Sequence, residues 1–156
     1  TAEQVYNTIG SGAIFASGSP FDNVKLPDGS EGYANQGNNM YLFPGLGLGV
    51  LSCGARMVTT SMLIAGARCL ASLVPPEERE KGVLFPPLHE IRDISVKVAA
   101  QVAKQALHEG VAEGLMHHDT FTSAEDLDHL SIDELEQLCR VRMWNPSYST
   151  LVYKPH

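Results

Sequence analysis

The chain has 156 residues, of which 44% are apolar and 19% charged, enough for one globular domain with a sizeable core. A formal net charge of −7 argues against a nucleic-acid partner, which would need a basic patch. Charges or glycines interrupt every apolar run short of the roughly 18 residues of a membrane span, so no membrane partner is expected either.

The opening TAEQVYNTIG has neither the basic flank nor the apolar core of a signal peptide. It also lacks an initiator Met and reads as a cut-down boundary. Cys53, Cys69 and Cys139 are odd in number and show no C-x-x-C spacing. They read as free thiols of an intracellular protein, cytoplasmic or mitochondrial and not secreted. Thr1-Ala2-Glu3-Gln4 suits a helix start, with Thr1 as cap and an acidic first turn, and Gly10-Ser11-Gly12 ends it. Ala13-Ile14-Phe15-Ala16 has the length of a buried strand and runs into Ser17-Gly18-Ser19-Pro20. A strand ending in a Ser/Gly turn is the geometry of a ligand-facing edge in open α/β sheets, although an ordinary exit turn has the same composition. Val24-Lys25-Leu26 and Tyr33 flank Pro27-Asp28-Gly29, the chemistry of a short hairpin. Asp22 has no paired carboxylate nearby in sequence and reads as solvated.

The stretch from Asn35 to Gly45 sets adjacent amides, Asn38 and Asn39, ahead of a run of large apolar residues and a Pro-Gly step. Two readings stand for the amides: they cap the helix that follows, or one faces a cleft and binds a polar ligand. Pro44 fits a first helical turn, and the spacing predicts a helix from Pro44 to about Val58. Gly45, Gly47, Gly49 and Gly54 recur along it. Each glycine costs a helix roughly 1 kcal/mol against alanine, so close approach of another backbone is expected along this face. A second helix is expected from Ser61 to about Leu73, capped by Thr59 or Thr60, and a further turn starts at Pro75-Pro76-Glu77-Glu78. Between Glu90 and His108, Ile91, Ile94, Val98 and Val102 form one apolar stripe with Ala99 and Ala106 beside it, and Gly110 is a good helix stop. Arg92, Lys97 and Lys104 lie off the stripe and read as solvated, with an interface as the alternative.

The tail looks like an exposed acidic insertion. Met116-His117-His118-Asp119, with Asp126, Asp128 and His129, suggests metal ligands by composition, but no pair has helical i, i+4 spacing, so no metal is expected there. Ser131-Ile132-Asp133-Glu134 is a capping box opening a helix to about Arg142. Gly45-Leu46-Gly47-Leu48-Gly49 mimics a dinucleotide fingerprint but has Val50 where G-x-G-x-x-G needs glycine. There is no G-x-S-x-G, P-loop or H-E-x-x-H.

Three blocks, FASGSPF (Phe15–Phe21), NQGNNMYLFPGLGLG (Asn35–Gly49) and KGVLFPPLHEIRDISVKVA (Lys81–Ala99), resemble in order the malic enzymes, which oxidatively decarboxylate malate to pyruvate. The resemblance runs from Thr1 to Gly114, returns around Trp144-Asn145-Pro146-Ser147-Tyr148, and covers only the C-terminal part of such an enzyme. It is weakest from Leu115 to Met143, where the tail looks longer than in familiar members. The resemblance implies a predominantly helical α/β fragment: residues 1–39 as a remnant of a Rossmann-like NAD(P)-binding domain, 40–114 as packed helices, and 115–156 as a helical tail. It implies NADP or NAD and a divalent metal (Mg or Mn) as cofactors of the complete enzyme, malate and pyruvate as substrate and product, and a homo-oligomer. The family's tyrosine and lysine for acid–base chemistry, its metal-binding carboxylates and its glycine-rich cofactor loop all fall upstream. No catalytic residue or metal ligand is therefore assigned here, and Tyr6, Tyr33 and Tyr41 are not promoted to fill the gap. Asn39 matches the family's substrate-contacting asparagine, Asn38 lies towards substrate and nicotinamide, and Ser17 and Gly18 match the turn beside the nicotinamide. One departure is Ala34-Asn35, where the family commonly has Pro-Gly. The chain alone is expected to be inactive and to self-associate through a glycine-lined face left exposed between Pro44 and Gly54. A helical interaction or oligomerisation module without catalysis is the alternative reading.

Overall fold

The computed structural model of the chain describes residues 1–117 and 120–147; Tyr148 of the last matching block, and His118 and Asp119 of the His/Asp grouping, lie outside the described residues. Helix α1 (Ala2–Ile9) starts in a capping box between Thr1 and Gln4 and stops at Gly10, whose φ of 86° suits glycine. Strand β1 (Phe15–Ser17) lies slightly later than the Ala13–Ala16 run suggested. Strands β2 (Val24–Lys25) and β3 (Glu31–Gly32) form the expected antiparallel hairpin. Strand β4 (Ala34–Gln36) then pairs parallel with β1, with Phe15 opposite Ala34 and Ser17 opposite Gln36. Nothing in the apolar pattern of Ala34-Asn35-Gln36 announces a strand. Tyr6, Ala2 and Leu26 form a small core beneath this edge, with Phe15 and Ala34 packed on it.

A single 3₁₀ turn (Asn39–Tyr41) leads into α2 (Phe43–Cys53). This helix ends five residues before the expected Val58, because Gly54 takes the left-handed conformation (φ 62°, ψ 41°) and closes it as a C-cap. Helix α3 (Thr60–Ser72) is capped by Thr59, α4 (Pro76–Glu80) is one turn, and α5 (Ile91–His108) follows a 3₁₀ turn at Leu88–Glu90. The expected stripe on α5 is present, but its burial is wider: Ser95, Val96, Ala100, Ala103 and Leu107 are buried as well. The reason is that α2, α3 and α7 (Ile132–Arg142) all pack against α5, which becomes the central helix.

Glycines make that packing possible at two points. A Cβ on Gly45 would meet Val98 at 2.7 Å and the Ser95 carbonyl at 2.9 Å; one on Gly49 would meet the Ala99 carbonyl at 2.6 Å and Val102 at 2.9 Å. The backbones of α2 and α5 therefore approach closely, as the glycine spacing predicts. Gly47 is the exception, with nothing within 4 Å of its added Cβ. The expectation that this face is exposed is corrected: the chain's own α5 covers it.

The tail is not an exposed insertion. Strands β5 (Gly114–His117) and β6 (Thr120–Ser123) pair antiparallel, and α6 (Ala124–Asp128) and α7 follow, capped by Ser123 and Ser131 through capping boxes. Leu115, Leu127, Leu135 and Cys139 are buried in the cores built on α5. Two of the side chains read as solvated turn out to tether the tail: Lys104 donates to the Asp128 carbonyl at 2.6 Å, and Arg92 donates to the Trp144 carbonyl at 2.9 Å. Lys97 is exposed as expected. Among the described residues no group of three His, Cys, Asp or Glu side chains could hold a metal, and no helix is long and apolar enough to cross a membrane.

Candidate functional site

Parallel pairing brings the C-terminal ends of β1 and β4 side by side, and all four singled-out residues stand there. Strand β1 ends on Ser17 and Gly18 follows it; beyond β4 come Gly37, Asn38 and Asn39. Two bonds stitch the exits together. The Gly37 amide donates to the Ser17 carbonyl at 2.8 Å, and the Gln36 side chain donates to the Gly18 carbonyl at 3.2 Å. The Ser17 hydroxyl donates to the Ser19 carbonyl at 2.7 Å, which tightens the turn. Gly18 is exposed, and a Cβ there would meet nothing within 4 Å. The carboxyl ends of parallel strands are where ligands sit in open α/β sheets, because the chain opens a crevice there as it leaves the sheet.

The two asparagines divide the roles that the sequence left open. Asn38 caps the 3₁₀ turn, its Oδ1 accepting from the Met40 amide at 3.0 Å. The capped element is that turn; α2 itself has Leu42 at its N-cap position and no side-chain cap. The Asn38 Nδ2 makes no hydrogen bond among the described residues, and neither does any atom of the exposed Asn39 amide. From Ala34 to Ala55 the chain carries no Asp, Glu, Lys, Arg or His, so this wall offers neutral donors and acceptors only.

What lies behind these residues was not legible as function. Asn35 Nδ2 donates to the Phe15 carbonyl and to the Gly82 carbonyl, both at 2.9 Å, and its Oδ1 accepts from the Leu84 amide at 2.7 Å. Asn23 Oδ1 accepts from the Ala34 amide at 2.9 Å. Past the asparagines, the Tyr41 hydroxyl donates to the Pro86 carbonyl at 2.9 Å, and its ring stacks on Phe85 with centroids 5.0 Å apart. Burial pushes the Tyr41 hydroxyl above its ordinary range and keeps it a donor. The available signal was the density of amides, Asn35-Gln36-Gly37-Asn38-Asn39, in a region with too little apolar surface to be held by burial alone.

Comparison with known proteins decides the family. The model of the malic enzyme NAD-binding domain matches residues 1–107. The chain belongs to the malic enzyme family. It is 45% identical over 154 residues to NAD-dependent malic enzyme 1, mitochondrial, of Arabidopsis thaliana, covering 99% of this chain and 24% of that protein. It is 46% identical over the same span to the mitochondrial NAD-dependent malic enzyme of Amaranthus hypochondriacus, and 47% identical over 112 residues to the NADP-dependent malic enzyme of Homo sapiens. The chain thus spans about a quarter of the length of the plant malic enzymes it matches. With the plant relatives the alignment extends over the tail, whereas the family model ends at residue 107 and the human relative is matched over 112 residues, in line with a resemblance that is weakest from Leu115 to Met143.

Malic enzymes bring a nicotinamide cofactor into question, and the edge residues fit one end of it. An uncrowded Gly18, a Ser17 held by its own turn and amide groups with free valences suit a flat, amide-bearing ring. No glycine-rich strand–turn–helix that would cradle a pyrophosphate occurs in the sequence, so the fit is to the nicotinamide end alone. A divalent metal finds no ligand set among the described residues.

Proposed function

We propose that this chain forms one wall of the active site of an NAD(P)-dependent malic enzyme, which oxidatively decarboxylates malate to pyruvate and carbon dioxide. Membership of the family supports this reading, and one observation carries it to the residues: the Asn39 side-chain amide, without a hydrogen bond among the described residues, follows by two positions Gly37, whose amide bonds the Ser17 carbonyl at the ends of two parallel strands. Asn39 holds a malate carboxylate; a neutral amide donates to it without adding charge beside a metal. Asn38, with Oδ1 committed to its turn, offers Nδ2 towards substrate and nicotinamide. Ser17 and Gly18 border the cofactor. NAD or NADP bordered by Ser17 and Gly18 would supply the hydride acceptor for oxidation at C2, and a divalent metal would be held by ligands elsewhere in the complete enzyme. The acid and base also lie outside this chain, so its contribution is to hold and orient. An intracellular setting, mitochondrial as in the names of the plant relatives or cytoplasmic, goes with this reading. So does a homo-oligomer, for which exposed apolar side chains such as Leu51, Val58 and Trp144 offer contact surface.

The test is Asn39→Ala in the complete enzyme. Hydrogen bonds to charged groups contribute roughly 1.5–3 kcal/mol, so kcat/KM for malate should fall about ten- to a hundredfold. Melting temperature should stay put, because the Asn39 side chain makes no hydrogen bond among the described residues; only its backbone carbonyl, which the substitution keeps, accepts from the Leu42 amide. A lowered melting temperature with unchanged malate kinetics would sink the ligand role. The purified 156-residue chain should show no malate-dependent reduction of NAD or NADP.

A further inference from the structure

Asn35 and Tyr41 flank the loop that carries Asn38 and Asn39, and both reach across to the same segment, residues 82–87. On one side, Asn35 binds the Gly82 carbonyl and the Leu84 amide while also binding Phe15 of β1. On the other side, Tyr41 binds the Pro86 carbonyl and stacks on Phe85 at an interplanar angle of 14°. Asn35 uses both of its Nδ2 hydrogens and its carbonyl, and Tyr41 is buried. Neither has a hydrogen left to donate to a ligand from those groups. Between them, the loop from Gln36 to Met40 has little apolar burial to hold it: Gly37, Asn39 and Met40 are exposed. Without anchors, such a loop would sample several positions.

We propose that Asn35 and Tyr41 are positioning residues for the reaction, clamping both ends of the amide loop onto the 82–87 segment so that Asn39 meets its carboxylate in one fixed pose. The clamp acts through Asn39 and so rests on the substrate role argued above. Asn35 matters more than Tyr41, because its amide ties three segments, β1, β4 and 82–84, at a single point. A pose error of about 1 Å is enough to lose a large part of an orientation effect.

A double-mutant cycle in the complete enzyme tests this. Asn35→Ala should lower kcat/KM for malate about tenfold, and Tyr41→Phe, which removes one hydroxyl and leaves the ring stacked, about threefold. In the Asn39→Ala background each should add less than about twofold, because the group being positioned is already gone. A purely structural role would instead lower kcat/KM by the same factor in both backgrounds, and that additivity overturns the clamp, as does an unchanged kcat/KM in either single variant. Should Asn35→Ala fail to fold, the Tyr41→Phe cycle decides alone. If Asn39→Ala itself leaves malate kinetics intact, the substrate role falls and takes the clamp's purpose with it. If Asn39→Ala is impaired but the cycle is additive, only the clamp falls.

Discussion

Around α5 the chain is held by exclusion of water and by contact between helices, whereas the β1–β4 edge is held by side-chain hydrogen bonds between segments with little to bury. In the helical body, Val98 and Val102 are fully buried, and Gly45 and Gly49 bring α2 close enough that no methyl group fits between. At the edge, Asn23, Asn35 and Gln36 each spend side-chain amide atoms on backbone groups of a neighbouring segment. Burial is non-directional and tolerates small shifts of neighbouring groups; hydrogen bonds fix angle and distance. The body therefore supplies stability, and the edge, poorer in apolar surface, supplies fixed placement of the loop that carries Asn38 and Asn39.

Substitutions can sharpen or break that contrast. Leu135→Ala, at the α7 contact with the core, should cost about 2–5 kcal/mol by denaturant unfolding. A cost under about 1 kcal/mol would place α7 outside the cooperative body. Gly49→Ala should cost about 1–3 kcal/mol, because its Cβ would lie 2.6 Å from the backbone carbonyl of Ala99. Gly47→Ala, two residues away on the open side of the same helix, should stabilise by about 0.5–1 kcal/mol. Opposite signs at Gly47 and Gly49 isolate packing from helix propensity; equal signs would mean that the close α2–α5 approach is wrong. A further effect is one of pH. Burial pushes the Cys53 thiol up to about 11 from an ordinary value of 9.0, and raises Cys69 and Cys139 as well. An unfolded chain loses these protons first, so it binds fewer protons than the folded one, and stability should fall as pH rises from about 9 towards 11. Denaturation midpoints across that range check the sign. Rapid alkylation of native Cys53 at pH 8 would contradict its burial.

Signals that act within four residues were readable directly. Thr1 caps α1 as expected, Ser131 with Glu134 forms the capping box its spacing announces, Thr59 caps α3, and Gly10 ends α1 where it should. Each is a side chain meeting a backbone group one helical turn away, so the sequence contains both partners. The α5 stripe was equally plain, since periodicity is itself a local record of a buried face.

Other features depended on partners far along the chain. That Gly54 closes α2, where the glycine pattern suggested continuation, depends on a left-handed conformation that glycine permits without requiring. Strand β4 exists because β1 lies beside it, and Asn35 looks like a loop residue until Gly82 and Leu84, 47 and 49 positions away, come into reach. The tail reads as polar and acidic, yet Leu127 and Leu135 are 1% exposed, because α5 carries buried residues on faces beyond its own stripe and recruits whatever apolar side chains remain. By itself, the sequence determined where helices start, the face α5 would bury and the family to which the motifs belong. Only the tertiary structure decided which glycines are crowded and what pins the loop that carries Asn38 and Asn39, since each of these is a distance between residues that sequence order does not hold together.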